Sequence, residues 1–568
     1  MSSEARWFKY YGNVPHTLDY PDISMYQMIK NTKDKYADYI AYDFMGKSAS
    51  YKEFLEEIEL CAKALTMQGI KAGDAVTVCL PNVPQAVIMF YAINRIGAIA
   101  SMVHPLSAEN EIMFYLNESK SKLAITLSQF YEKFEAIKGK TPVEKVIVAK
   151  IGEALPTVKG FFYRFIGHEP KVKNDPWVIS WQDFLNKAKE CKKEISYTAK
   201  GDDAAVILFS GGTTGTSKGI LLTNLNFNAL AMQTAAASEC LCAGDTMLSV
   251  MPVFHGFGLG VGIHTLLAFG GRCVLVPRLN VSEFAGLFKK YRPNYMAGVP
   301  TLFEAMLRNE DMKNTDLSCL KGLFSGGDTL SVELKKKIDS FLRERGANIQ
   351  VREGYGTTEC VTASCLTPSS YYREGSIGIP FPDTYYKIVI PNTNEEAPIG
   401  QMGEICLTGP TLMKEYINNP KETHQTLREH DDGKTYLHTG DLGYMDEDGF
   451  IYFVQRLKRM IVTSGYNVYP SQIENVIDAH EAVMFSTVIG VKDEYRMQKV
   501  KAYIVLKPGF TPTEEIQASI KAHCEKSIAK YALPREYEYR DSLPKTLVGK
   551  VAYRELEREE EEKMLAGK

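Results

Sequence analysis

The chain has 568 residues, 45% of them hydrophobic and 24% charged, and a net charge of only −3. That balance suits several domains with substantial cores and excludes a charge-driven nucleic-acid partner or a strongly acidic ligand surface. Its 11 cysteines fall without CxxC or Cys/His metal spacing, so they read as reduced, mostly buried thiols of a cytosolic protein rather than a disulfide scaffold.

The opening residues Met1-Ser-Ser-Glu-Ala-Arg-Trp7 lack an apolar stretch, and no segment reaches ~18 uncharged apolar residues, so neither an N-terminal export signal nor a spanning helix is expected. Apolar residues at helical spacing then predict a helix over Ser50–Met67, followed by a strand at Ala75–Leu80 and a helix over Val83–Ile96. Apolar strands are expected again at Leu123–Leu127 and Val143–Ala149. Such alternation predicts parallel sheets covered by helices on both faces.

The run Leu155–Gly167 mixes aromatic residues with Lys159 and Arg164. It reads either as a short helix packed on the protein or as a peripheral membrane contact. The strand and helix rhythm recurs from Asp245 through Gly327, with strands at Arg272–Val276 and Tyr295–Val299. After about residue 375, Gly/Pro-punctuated runs such as Tyr386–Ile390 and Gly403–Thr408 predict a small β-rich subdomain. A basic crossing at Phe453–Ile461 leads into a new α/β pattern, and the charged tail Arg554–Lys563 reads as an exposed helix or frayed end.

Within this frame the most informative run is Phe209–Gly219, which follows the apolar strand Ala204–Phe209 and holds 4 glycines, 5 hydroxyl residues and Lys218. Small residues let backbone N–H groups approach an anion, hydroxyls add neutral donors, and the lysine adds a point charge. The loop thus suits phosphate, although its composition alone also fits a flexible linker. It is not a Walker loop, because Lys218 is preceded by Ser217 and followed by Gly219.

Further along, Glu353–Glu359 gathers an aromatic face at Tyr355, a donor at Thr358 and a carboxylate at Glu359. These suit a base, a phosphate and Mg²⁺ in turn; as an isolated string they also fit an ordinary turn. Asp441 in Tyr436–Leu442 is expected at a tight turn, where it takes either ribose hydroxyls or its own backbone. Lys550, on the glycine-bearing run Leu543–Lys550, reads as a mobile lysine for a reacting phosphate or as a solvated surface residue.

Taken together and in this order, these runs resemble the adenylate-forming superfamily of acyl-CoA synthetases, nonribosomal adenylation domains and firefly luciferase. The resemblance covers roughly residues 25 to 555. It rests on Ser210–Gly219, Met251–Phe257, Ser325–Asp328, Gly354–Glu359, Thr439–Asp441, Gln455–Lys458 and Pro544–Lys550. It implies an α/β fold: a large N-terminal domain of two helix-covered sheets, residues 1–455, with a β-barrel-like subdomain at about 375–455. A small mobile α+β domain, residues 456–568, follows it.

It also implies ATP, Mg²⁺ and coenzyme A, with a carboxylic acid attacking the α-phosphate of ATP and a thiol then displacing AMP. By resemblance, Ser210, Thr213, Thr214 and Lys218 cradle the outer phosphates, Thr358 meets the α-phosphate and Glu359 carries Mg²⁺. Gly326, Gly327, Asp328, Tyr355 and Gly356 line the adenine pocket, and Asp441 and Arg456 bind the ribose. Lys550 bridges the ribose to the reacting carboxylate. Lys458 stands at the hinge about which the C-terminal domain rotates, after which the loop Thr463–Asn467 with Gly465 replaces Lys550 beside the thiol. His255 takes the aromatic position that gates the acyl pocket. Cys360 beside Glu359 is expected to be a buried small residue, since no protein nucleophile is required.

Within the superfamily, Ser210-Gly-Gly-Thr213, Ser464–Pro470 and the Leu543-Pro-Lys-Thr546 ending look like bacterial long-chain fatty-acid CoA ligases. The expectation is a cytoplasmic ligase for medium to long fatty acids, with peripheral contact at the inner membrane surface left open beside a helix packed on the protein. Aryl, steroid or other acid CoA ligases, and an acyl-AMP ligase loading a carrier protein, are the alternatives. Three residues depart from the pattern: Ser217 replaces a common proline, Gln455 an acidic or glycine residue, and Arg459 a frequent acid.

Overall fold

The computed structural model describes residues 5–166, 170, 172, 175–189, 191, 194–210, 217–463, 466–493, 497–545 and 551–566. The chain divides into two compact units, Met1–Tyr386 with Leu407–Leu437, and Lys387–Cys406 with His438–Lys568.

In the first unit the alternating pattern resolves into two large sheets. One runs, among the described residues, in the order Ile379–Pro380, Cys365–Leu366, Val351–Tyr355, Gly322–Ser325, Tyr295–Gly298, Thr246–Ser249, Arg272–Leu275, Ile40–Phe44 and Lys47–Ser50. The other runs Glu415–Tyr416, Lys218–Thr223, Ala204–Ser210, Ile99–Met102, Ala75–Cys79, Leu123–Leu127, Lys145–Ala149 and Val178–Ser180. Most inner strands pair in parallel, as at Val76↔Leu123 and Ser325↔Glu353, and so does the edge strand Val178–Ser180; Ala204–Ser210 with Lys218–Thr223, and the strands Cys365–Leu366 and Glu415–Tyr416, pair antiparallel. Buried side chains of both sheets share one apolar cluster, from Tyr42 and Cys273 to Val76 and Val206.

Local chemistry explains the helices. Tyr51–Met67 starts on a capping box, in which Ser50 Oγ accepts from Glu53 N–H and the Glu53 carboxylate accepts from Ser50 N–H at 2.8 Å. Pro84–Arg95 opens on proline and is buried from Pro84 to Asn94, which accounts for a sequence apolar on every side. The Phe257–His264 segment is a widened π-helix, a form that concentrates at functional places. Gly256 at its start is obligatory, because a Cβ there would stand 1.7 Å from the Val361 carbonyl oxygen.

The aromatic run forms the helix Thr157–Ile166. Val158 on it is exposed, and Tyr163 packs against the core. Among the described residues no helix is long and apolar enough to cross a membrane.

The strands Tyr385–Val389, Gly403–Thr408 and Thr435–Met445 adjoin in that order, and Ile451–Arg456 pairs with the last. The rest of the second unit is a sheet ordered Tyr466–Val468, Ile461–Thr463, Met497–Leu506 and Val483–Asp493, with Glu536–Tyr539 on Met497–Leu506. Strict alternation sorts its two faces. Val488, Val500, Ala502 and Ile504 pack with the helices Pro470–Asp478 and Glu514–Ser527. Ile489, Val491, Tyr503 and Val505 pack with Leu556.

That last contact corrects the expectation for the charged tail. Tyr553–Ala566 is a helix, but Leu556 and Glu560 are buried. Lys501 Nζ lies 3.0 Å from a Glu560 oxygen and 2.9 Å from Glu538, and Tyr503 donates to Glu560 at 3.0 Å. The alternating charges hide an apolar and ionic stripe that docks on the sheet.

Candidate active site

The glycine-rich run joins two antiparallel neighbours, Ala204–Ser210 and Lys218–Thr223, whose last cross-strand pair is Ser210↔Lys218. Ser210 and Lys218 therefore face each other across the base of the loop; Thr213 and Thr214 lie outside the described residues. Ser217, the departure from proline, has its hydroxyl 3.3 Å from Tyr115 Oη, a contact that proline has no atom to make. Gly219 permits close packing, since a Cβ there would meet Ile417 Cδ1 at 2.5 Å.

Lys218 is ion-paired with Glu422, and its Nζ stands 4.9 Å from the centre of the Tyr416 ring. Tyr416 donates its hydroxyl to Glu359 Oε1 at 2.7 Å. The candidate phosphate-loop lysine and the candidate metal carboxylate are thus linked through one tyrosine that no sequence motif singles out. A two-residue strand, Glu415–Tyr416, carries no periodicity, so only its position between Gly409-Pro410 and Pro420 could have flagged it.

Gly322–Ser325 and Val351–Tyr355 are adjacent parallel strands. Gly326–Asp328 and Tyr355–Glu359 therefore leave the sheet side by side at strand C-termini, where open α/β sheets take ligands. Gly327 has φ +80°, and Gly356 sits against backbone, with its Cβ position 2.3 Å from Thr362 O. Tyr355, Gly356, Thr358 and Glu359 are half-buried. Behind them Glu353 is buried and accepts from Leu330 N–H at 3.1 Å, and burial pushes its carboxyl up to about 8.

Cys360 is fully buried, and burial pushes its thiol up to about 11, so it offers no thiolate near neutrality. Val361 has φ +66°, a left-handed conformation costly for a β-branched residue, held by the close contact with Gly256.

His255 is half-buried, and its Nδ1 accepts from Phe257 N–H at 3.1 Å. At the far end of the π-helix His264 is wholly buried between Tyr91 Oη at 2.9 Å and Asn228 Oδ1 at 3.0 Å. Burial lowers its pKa to about 3, so it stays neutral.

In the second unit Asp441 stands within the strand Thr435–Met445, directly opposite Arg456, rather than at the tight turn expected. Its carboxylate is 3.4 Å from Arg456 Nε, and its N–H donates to Thr439 Oγ1 at 3.1 Å. The sequence signal read as a turn is Gly440, which has φ +70° inside that strand. Lys458 lies in the short helical turn Leu457–Arg459.

The two other departures differ in kind. Gln455 is buried, and its amide has no hydrogen-bond partner among the described residues. Arg459 is well satisfied, donating to Glu474 Oε1 at 2.5 Å and to Val488 O at 3.2 Å. Gly465 and Lys550 lie outside the described residues; the flanks of the latter's segment are joined by a Lys545↔Val551 bridge.

One further cluster carries no local sequence signal, because its members come from two strands some thirty positions apart, Gly403–Thr408 and Thr435–Met445. Glu404, Cys406 and His438 bring their donor atoms within 4.8 Å of one another. Glu404 already accepts from Gly440 N–H at 2.9 Å and lies 3.0 Å from His438 Nδ1, a self-sufficient buried pair that braces the Asp441 strand.

Residues 29–417 match the model of the AMP-binding enzyme family, and residues 472–550 match that of the AMP-binding enzyme C-terminal domain. The chain is 34% identical to the long-chain-fatty-acid–CoA ligase of Bacillus subtilis (strain 168), over 99% of this chain and 99% of that protein. It is 33% identical to the enzyme of the same name from Salmonella typhimurium, over 96% of this chain and 97% of that protein. Among solved structures, an ATP-bound RpMatB-BxBclM chimera matches with a TM-score of 0.83 at 24% identity, covering 95% of this chain and 99% of that one; that likeness speaks to fold.

Proposed function

Because this chain belongs to the AMP-binding enzyme family, we propose that it is an acid–thiol ligase that activates a medium- to long-chain fatty acid with ATP and passes the acyl group to coenzyme A. The observation that carries this reading lies in the first unit. Gly326–Asp328 and Tyr355–Glu359 emerge from neighbouring strand ends, and Tyr416 ties Glu359 to the phosphate-loop lysine. The long-chain preference is supported by the relatives that match nearly end to end.

In the first half-reaction the acid's carboxylate oxygen attacks the α-phosphorus, the α,β-bridging bond breaks, and pyrophosphate leaves with that electron pair. In the second, the CoA thiolate attacks the acyl carbonyl and AMP departs with its phosphate oxygen. The protein's contribution is positioning and charge neutralisation. Ser210, Thr213, Thr214 and Lys218 hold the outer phosphates, and Thr358 donates to the α-phosphate. Gly326, Gly327, Asp328, Tyr355 and Gly356 bound the adenine. Asp441 and Arg456 take the ribose hydroxyls.

Lys550 bridges ribose and carboxylate during adenylation, Lys458 is the hinge, and Gly465 lines the thiol's approach. His255 gates the acyl pocket. Glu359 presents a half-buried hard oxygen ligand whose partner oxygen is already oriented by Tyr416, which suits Mg²⁺. Bound there, the ion supplies charge neutralisation on phosphate oxygens. Peripheral membrane contact is assigned to the Thr157–Ile166 helix with its exposed Val158; sedimentation with anionic vesicles tests it.

The deciding experiment is AMP release with ATP and Mg²⁺, with and without CoA, over acetate, decanoate, palmitate, benzoate, a bile acid and amino acids. CoA-dependent turnover peaking at decanoate or palmitate is expected. A peak at benzoate or the bile acid moves the reading to those acids, and adenylate formation indifferent to CoA moves it to a carrier-protein ligase.

A further inference from the structure

We propose that Tyr416 is a positioning residue that fixes the carboxylate of Glu359 and the ammonium of Lys218 relative to each other, so that both meet one magnesium–triphosphate. The inference rests on the assignment of Glu359 and Lys218 made above.

Tyr416 is buried and held at every backbone and side-chain handle. Its strand pairs with Lys218–Thr223 in the register Tyr416↔Ile220, and the ladder is extended by Lys414 N–H to Leu221 O at 2.8 Å and Ile417 N–H to Gly219 O at 2.9 Å. Its own N–H donates to Thr423 Oγ1 at 3.0 Å. Its carbonyl accepts from Asn419 N–H at 3.2 Å, and Asn419 Oδ1 in turn caps the short helix that bears Glu422. Tyr416 therefore moves as one piece with the strand that carries Lys218.

Two parts of its side chain then act on two different groups. The ring supports the Lys218 ammonium by a cation–π contact at 4.9 Å. The hydroxyl donates to Glu359 Oε1, while the Glu359 carbonyl accepts from Met413 N–H at 2.7 Å. Glu359 is thus anchored at backbone and side chain by one short segment, 413–416. A carboxylate that must offer one oxygen to a cation is best oriented by a donor on its other oxygen.

Separating the two parts makes the test. Tyr416→Phe keeps the ring and the volume, and Tyr416→Leu loses both hydroxyl and ring. Mn²⁺ retention in the presence of ATP and without acid is read from the EPR signal of the free ion, and metal-free ATP binding from equilibrium dialysis. A melting curve for each variant reports folding. Tyr416→Phe is expected to weaken Mn²⁺ retention ~10-fold or more and to leave metal-free ATP binding within about twofold, whereas Tyr416→Leu weakens both. A purely structural role would lower the melting temperature without moving Mn²⁺ retention.

Glu359→Gln serves as the control. If it abolishes Mn²⁺ retention while Tyr416→Phe retains the ion as the parent does, the positioning role is refuted and the site assignment stands. If Glu359→Gln itself retains Mn²⁺ normally, the assignment of Glu359 is refuted and the role of Tyr416 falls with it.

Discussion

Glu353 makes a direct test of how burial acts behind the strand end that leads into Tyr355–Glu359. Burial raises its carboxyl to about 8 from an ordinary 4.5; the Leu330 N–H and Lys335 pull the other way, and Asp328 adds to the rise. The folded protein therefore keeps a proton through a pH range in which the unfolded chain has lost it. Stability is fully present below pH 4.5, falls as pH rises through the window, and is lost above pH 8. At ~1.4 kcal/mol per pH unit, the loss across the window reaches up to ~5 kcal/mol.

Glu353→Gln keeps the shape and the acceptor for Leu330 N–H while removing the titration. Urea unfolding from pH 5 to pH 9, followed through the transition of the first unit, should give a falling curve for the parent and a flatter one for the variant. The variant should be the more stable of the two at pH 9. Parallel curves would refute the reasoning, since they would mean that Glu353 ionises in the folded state as it does in the unfolded one.

Gly256→Ala places a methyl group 1.7 Å from the Val361 carbonyl, backbone that cannot move without disturbing Glu359; a loss of at least ~3 kcal/mol is expected in the same unfolding assay. Lys501→Met removes the cation shared by the buried Glu560 and the half-buried Glu538, which keep Lys563 and Arg540 as partners, and should cost ~1–3 kcal/mol, part of which adding Glu560→Gln should recover. Lys550→Ala is expected to abolish adenylation, read as pyrophosphate release, while sparing CoA transfer from supplied acyl-adenylate; adenylate formed at the parental rate would remove Lys550 from its role.

The sheets were legible because long strands and helices announce themselves by period. Leu123–Leu127 and Gly403–Thr408 appear where the apolar runs placed them, and the helix expected over Ser50–Met67 gains only its cap, Ser50, outside the first turn. The motif residues of the first unit were legible as chemistry on a loop after a strand, and the parallel pairing of Gly322–Ser325 with Val351–Tyr355 gives the geometry that the order of motifs implied.

What stayed hidden was non-local. Tyr416 and Glu422 acquire meaning only from distant partners: Glu359 lies 57 positions before Tyr416, and Lys218 lies 204 positions before Glu422. Asp441 was misplaced at a turn because a glycine with positive φ inside a strand looks like a turn in sequence. The tail helix was read as solvated because Leu556 and Glu560 are only two positions in a run of charge, and their burial depends on a sheet formed elsewhere.

The pairing of Glu415–Tyr416 with Lys218–Thr223 also has a consequence for biosynthesis. At ~5–20 residues per second, the roughly two hundred residues from the strand Lys218–Thr223 to its edge partner Glu415–Tyr416 keep the ribosome occupied for on the order of ten to forty seconds. Throughout that interval the nascent chain carries the apolar strand Lys218–Thr223 with its outer edge uncovered, the kind of edge that recruits stray strands from neighbouring chains. The hairpin at the base of the candidate phosphate loop is therefore also a place where a chaperone has reason to wait.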